Sequence, residues 1–119
     1  MRPLLAACSL VVALALVACE EPAATEPVAR GRQVYRKLDC GRCHVIDGSG
    51  GRLGPDLRRI GSVADSRRPG AAEEYIQESI TTPGAYVVPG YNDVMPRGLA
   101  RGLSESDLDA LVRYLASHE

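Results

Sequence analysis

Three of the six cysteines and histidines in this 119-residue chain fall within five positions: Cys40, Cys43 and His44, in the run "CGRCH". Two thiols at this spacing can close a disulfide, run thiol–disulfide exchange or bind a soft metal. A disulfide leaves the adjacent histidine unexplained. A thioredoxin-like redox pair belongs in a strand–helix–strand setting, and no stretch here alternates convincingly as a strand. A tetrahedral zinc site takes four ligands. Beyond His44 the chain has only His118, next to its C-terminus, so zinc would have to recruit carboxylates.

The fourth chemistry is covalent attachment of haem, for which Cys-x-x-Cys-His is the recognised pattern. Two thioethers must reach two vinyl groups on neighbouring pyrrole rings. One helical turn after Cys40 brings Cys43 to the second vinyl. His44, next in line, projects beneath the ring and offers an imidazole nitrogen to the iron. The expectation is one haem c, held by Cys40 and Cys43 with its iron on His44; accidental spacing with a disulfide is the remaining alternative. Composition bears on the same point. The chain has five Tyr, no Trp and no Phe, and aromatic side chains supply the largest buried areas in small cores. A flat apolar macrocycle would fill the volume they leave.

If His44 holds one face of the iron, the other needs a ligand. The chain has two methionines, and Met1 belongs to a segment expected to be removed. Met95 is then the one thioether left, in an irregular stretch stiffened by Pro89 and Pro96. Methionine more often fills a core than binds a metal, but its uniqueness downstream of a haem motif makes Met95 the expected sixth ligand. His118 is the rival; so close to the terminus it is expected to be frayed and exposed. His/Met ligation raises the reduction potential and fills both axial positions. That points to electron transfer and away from an enzyme with a small-molecule substrate. A haem peroxidase or gas sensor would need an open or labile axial site.

The elements that must position these residues read as helices. Gly31, Val34, Tyr35 and Leu38 fall at i, i+3, i+4 and i+7, one face of a helix running into Cys40. "DGSGGRLGP" (47–55) holds four glycines and is expected to be a loop. Short helical pieces are expected around 56–59 and 63–67, and an amphipathic helix over 71–80 with Tyr75, Ile76 and Ile80 on one side. The stretch 81–98, with three prolines and three glycines, is long and irregular. Loops of that length are usually functional or disordered. Ser104 is an N-cap candidate with Asp107 as a weak capping box, ahead of the stripe Leu108, Leu111, Val112 and Leu115. The fold class is therefore all-α: three to four short helices around one covalently attached haem.

The N-terminus "MRPLLAACSLVVALALVAC" joins Arg2 to an apolar run, Leu4 to Val17. The run is too short to span a bilayer comfortably, since about 20 residues are needed, and it fits an export signal. "LVAC" at 16–19 resembles the lipobox of bacterial lipoproteins. That resemblance implies cleavage after residue 18, lipid on Cys19 and a membrane anchor on the extracytoplasmic, or periplasmic, side. Residues 19–29, rich in acids, Pro and Ala, read as a solvated tether. Residues 30–119 form the domain. Export places the thiols in an oxidising compartment.

Residues 30–117 resemble a monohaem class I cytochrome c. The likeness rests on Gly31 and Tyr35, "CGRCH" at 40–44, "GPDL" at 54–57, "TTPGAYVVPGY" at 81–91, Met95 and "LDALVRYL" at 108–115. It implies thioether links at Cys40 and Cys43, with His44 and Met95 as axial ligands. It also implies a hydrogen bond from the His44 ring to the Pro55 carbonyl, and a close helix crossing at Gly31 beside Tyr114. Tyr91 and Asn92 would lie near the Met sulfur or a propionate. The run 74–96 is also similar to the cytochrome c domain fused to subunit II of some haem–copper oxidases, without their copper domain or membrane hairpin. The implied function is a one-electron carrier serving a respiratory complex, or alternatively a fixed haem subunit of one.

The formal net charge of −1 gives no reason to expect a nucleic-acid partner. Charge is uneven, however. Residues 30–59 carry eight basic and three acidic side chains, whereas 60–119 carry five basic and nine acidic. Arg42, Arg52, Arg97 and Arg101 are expected to ring the exposed haem edge and meet an acidic docking patch on a redox partner.

Overall fold

Pro27 opens the first helix, α1 (Pro27–Lys37). Proline suits a helix's first position, where its missing N–H has no partner to lose. The Arg30 amide then donates to the Glu26 carbonyl at 2.9 Å. The helix thus starts ahead of Arg30, and Pro27 to Ala29, expected in the tether, form its first turn. The structure is a computed structural model that describes residues 26–119. The expected export signal (1–18), Cys19 and the rest of the tether lie outside the described residues.

The apolar face read from the sequence is the one α1 buries: Gly31, Val34 and Tyr35, with Leu38 partly covered. Its partner is α4 (Glu105–Ala116), which buries Ala110, Leu111, Val112, Tyr114 and Leu115. The Asp107 amide donates to the Ser104 hydroxyl at 3.1 Å, so Ser104 caps α4 as expected. Asp107 does not complete a capping box. Its carboxylate instead accepts from Arg30 Nε at 2.7 Å, tying α4 to α1. The helices cross at Gly31, where a methyl group would collide with the Ala110 carbonyl and the Tyr114 Cβ. The Tyr35 and Tyr114 rings meet edge to face beside that crossing, centroids 5.7 Å apart.

Two shorter helices close the core. α2 (Ile60–Arg67) is a single helix in place of the two pieces expected, and it buries Ile60, Gly61 and Ala64. α3 (Ala72–Thr81) buries Tyr75, Ile76 and Ile80. The C-terminus reaches α2, where the Gly61 amide donates to the His118 carbonyl at 2.7 Å. Short 3₁₀ turns span Cys40–Arg42 and Leu99–Gly102. The all-α expectation holds, with one small addition. β1 (Val45–Ile46) pairs antiparallel with β2 (Ser49–Gly50). Asp47 and Gly48 both take positive φ, 49° and 80°, the two-residue turn that Asp-Gly favours between strands.

Candidate functional site

The α1 stripe ends at Leu38, and Asp39 takes a left-handed φ of 55°. That turn of the backbone swings the chain out of the helix and into the cysteine turn. Within it the Cys43 and His44 amides both donate to the Cys40 carbonyl, at 3.1 and 3.0 Å. Cys40, Cys43 and His44 therefore share one turn, each half-buried. The two cysteines are not joined to each other as a disulfide. Burial pushes the Cys40 thiol up to about 11. Among the described residues no three His, Cys, Asp or Glu side chains come together as metal ligands. There is no strand–helix–strand unit around the pair either. The zinc and thioredoxin-like readings have no geometry to rest on.

Residues 51–57 wrap back over this turn. Gly51, Gly54 and Leu57 donate their amides in succession to the carbonyls of Gly41, Cys43 and Val45, at 2.9, 2.9 and 2.8 Å. This strap delivers the Pro55 carbonyl to His44, and Nδ1 donates to it at 2.7 Å. The bond fixes the ring's tautomer and leaves Nε2 with a free lone pair, the arrangement found behind metal-bound histidines. Gly54 lies flat against the imidazole, where any Cβ would strike the ring. The glycine-rich loop is thus a tight cradle for one side chain, and the Pro55 contact expected from the resemblance is present.

Met95 stands on a separate segment, half-buried, in the loop between α3 and the 3₁₀ turn at Leu99–Gly102. No hydrogen bond of the cysteine–histidine turn reaches that segment. Tyr91 is exposed, and neither its hydroxyl nor the Asn92 side chain takes a hydrogen-bond partner among the described residues. His118 differs from expectation. It is ordered, its side chain only 15% exposed. Its Nδ1 lies 2.8 Å from the Tyr114 carbonyl and its Nε2 3.5 Å from Asp47. Both ring nitrogens are engaged, so burial rather than fraying removes His118 from contention as a ligand. Asp47 also accepts from Arg32 at 3.0 Å, which holds its carboxyl below the usual carboxylate range. The β1–β2 turn is in this way tied to α1 and to the C-terminus, contacts between distant residues that no local pattern announces.

Of the four arginines expected around the haem edge, one is already paired. Arg97 forms a two-pronged ion pair with Asp93, so its charge is largely offset. None of the ion pairs among the described residues engages Arg42, Arg52 or Arg101.

These residues fit a flat, largely apolar group. Of the six large apolar side chains left exposed among the described residues, five lie on the strap or the methionine loop: Leu53, Tyr86, Val87, Tyr91 and Val94. Exposed apolar side chains gathered on these two segments are what a binding surface would carry. The Tyr35 hydroxyl, on the helix leading into Cys40, is buried without a partner, and burial raises its pKa. The Cys40 and Cys43 thiols and the His44 imidazole complete a donor set suited to a covalently linked haem.

Comparison with known proteins agrees. No curated protein matches the sequence. The family model described as Cytochrome c matches residues 28–119, from the first turn of α1 through every helix to the end of the chain. Family members carry covalently attached haem c and serve as haem-binding electron carriers. With the attachment turn, the histidine cradle and the α1–α4 crossing in one continuous match, the chain belongs to the cytochrome c family.

Proposed function

We propose that this cytochrome c is a one-electron carrier whose haem is linked through Cys40 and Cys43, with His44 and Met95 as axial ligands. The observation that carries the reading is the His44–Pro55 bond at 2.7 Å, which turns the other ring nitrogen, Nε2, away from the Pro55 carbonyl. Bound haem supplies one-electron storage at its iron. The chain does the rest. The 3₁₀ turn sets the two thiols, the strap orients the imidazole, and the α3 loop supplies the only thioether outside Met1. A sulfur ligand favours the reduced iron and raises the potential, and two filled axial positions leave no place for a small-molecule substrate. Exposed to carbon monoxide, the reduced parent protein is expected to bind it poorly and Met95→Ala readily. Ready binding by the parent would instead favour a peroxidase or gas-sensing role.

The sequence supports a location outside the cytoplasm. The export signal and the lipobox-like "LVAC" imply a protein anchored to a membrane by lipid on Cys19. Radiolabelled fatty acid should enter the parent and not Cys19→Ser; equal labelling would refute the anchor. The partner is a redox protein or respiratory complex with an acidic docking patch, met by Arg42, Arg52 and Arg101. Charge steering of this kind weakens with salt, so electron-transfer rates indifferent to ionic strength would refute it.

A further inference from the structure

The methionine loop has no regular structure, yet two arginines tie it down. Side chains four residues apart meet readily on a helix, but an extended chain sets them roughly 13 Å apart. Asp93 and Arg97 lie outside any helix. They nevertheless pair through Nη1–Oδ1 at 2.9 Å and Nη2–Oδ2 at 2.7 Å. The chain must bend between them, and the residue at the centre of the bend is Met95. The Val94 amide donates to the Asn92 carbonyl at 2.9 Å and tightens the bend's first half. The same guanidinium lies over Gly84 on the loop's opposite arm, where a Cβ would meet Nη2 at 2.5 Å and Cζ at 2.9 Å. Thr82, Pro83, Gly98 and Arg101 are among the other residues that line that hollow.

The outer arm has its own anchor. Tyr86 meets Tyr75 of α3 edge to face, centroids 6.1 Å apart. Arg67, at the end of α2, donates to the Tyr75 hydroxyl at 2.6 Å, and its Cζ lies 5.8 Å from the Tyr86 centroid. Cation–aromatic contacts at this distance are attractive. One exposed loop is thereby fastened at both arms and closed across its middle.

We propose that Arg97 is a positioning residue, a latch that joins the two arms of the loop and keeps Met95 on the iron, while Arg67 fastens the outer arm through Tyr86. The proposal rests on reading Met95 as the sixth ligand. Loosening the latch raises the fraction of molecules with the sulfur off the iron. Added imidazole binds only that fraction, so its apparent affinity reports it directly.

The test is an imidazole titration of the oxidised holoprotein at fixed neutral pH, followed by absorbance, with thermal melting and reduction potential recorded alongside. Arg97→Ala is expected to bind imidazole about three to ten times more tightly than the parent and to show a lower potential. Gly84→Ala crowds the guanidinium off its seat without removing its charge and should move the same way by less, as should Arg67→Ala. Arg97→Lys, which keeps the pairing charge, should fall between parent and Arg97→Ala. A lower melting temperature in Arg97→Ala with imidazole affinity unchanged assigns Arg97 a structural part only and overturns the latch. Met95→Ala separates the two readings. It should bind imidazole tightly and lose the sulfur-to-iron absorption band. If it matches the parent, Met95 is not the ligand and the latch falls with it. If it responds while Arg97→Ala does not, the latch alone is wrong.

Discussion

Adding a single methyl group at Gly31 sets two opposing effects against each other. In a free helix, alanine is favoured over glycine by about 1 kcal/mol. In the folded protein the new Cβ would strike the Ala110 carbonyl and the Tyr114 Cβ. Neither can swing aside, because one is helix backbone and the other the root of a buried side chain. The helices must part instead, uncovering the Tyr35–Tyr114 contact and stretching the 2.7 Å Arg30–Asp107 bond. Overpacking of this sort costs about 1–3 kcal/mol, and an unyielding backbone obstacle puts Gly31 at the top of that range. The net loss for Gly31→Ala is then about 2 kcal/mol. For a domain of this size that lowers the melting temperature by roughly 8–16 °C. The assay is thermal unfolding of the holoprotein followed by circular dichroism. Gly102→Ala serves as the control, since a Cβ there meets nothing within 4 Å. A Gly31→Ala protein as stable as the parent, or more so, would show that α1 and α4 do not cross at van der Waals contact and would refute the packing argument.

Gly54→Ala places a methyl group against the His44 ring while hydrogen bonds on either side hold the strap in place. It should cost about 1–3 kcal/mol and shift the reduction potential; a variant with parental stability and potential would contradict the cradle. A third expectation concerns acid. Arg30, and secondarily Ser104, hold the Asp107 carboxyl below the usual carboxylate range. A depressed folded pKa contributes stability that is fully present above the unfolded value of about 4 and is lost as pH falls through the lower folded value. The parent should therefore exceed Arg30→Gln in stability at pH 7, and the gap should close below about pH 4. A gap that stays constant from neutral to acid in urea unfolding would rule out this pair as its source.

Much of the site was legible because its chemistry is local. The Cys40–Cys43–His44 spacing, the stripe from Gly31 to Leu38, the Ser104 cap and the α4 stripe each lie within a turn or two of chain. Local steric and hydrogen-bonding rules suffice there. The β1–β2 hairpin was also written locally, in Asp47-Gly48, but the neighbouring Gly50, Gly51, Gly54 and Pro55 favoured reading the stretch as structureless. The start of α1 was obscured by Pro27, which reads equally as a tether residue and as a first helical position. The remaining differences are long-range. That His118 reaches Asp47, and that Asp107 serves Arg30 in place of its own helix cap, depends on residues more than 70 positions apart brought together by the fold. Likewise, the charge of Arg97 looked free for a partner until the bend at Met95 brought Asp93 to it.

The account's central claim is a covalent one, and intact-mass spectrometry tests it most directly. Mature protein made alongside a competent haem-attachment system and then fully denatured should keep its colour and weigh one haem more than the same protein with both attachment cysteines replaced, whatever lipid Cys19 carries. Cys40→Ala with Cys43→Ala should lose both the added mass and the colour. A denatured parent that releases its haem, or never carried one, would contradict the assignment of Cys40, Cys43 and His44 as the attachment site.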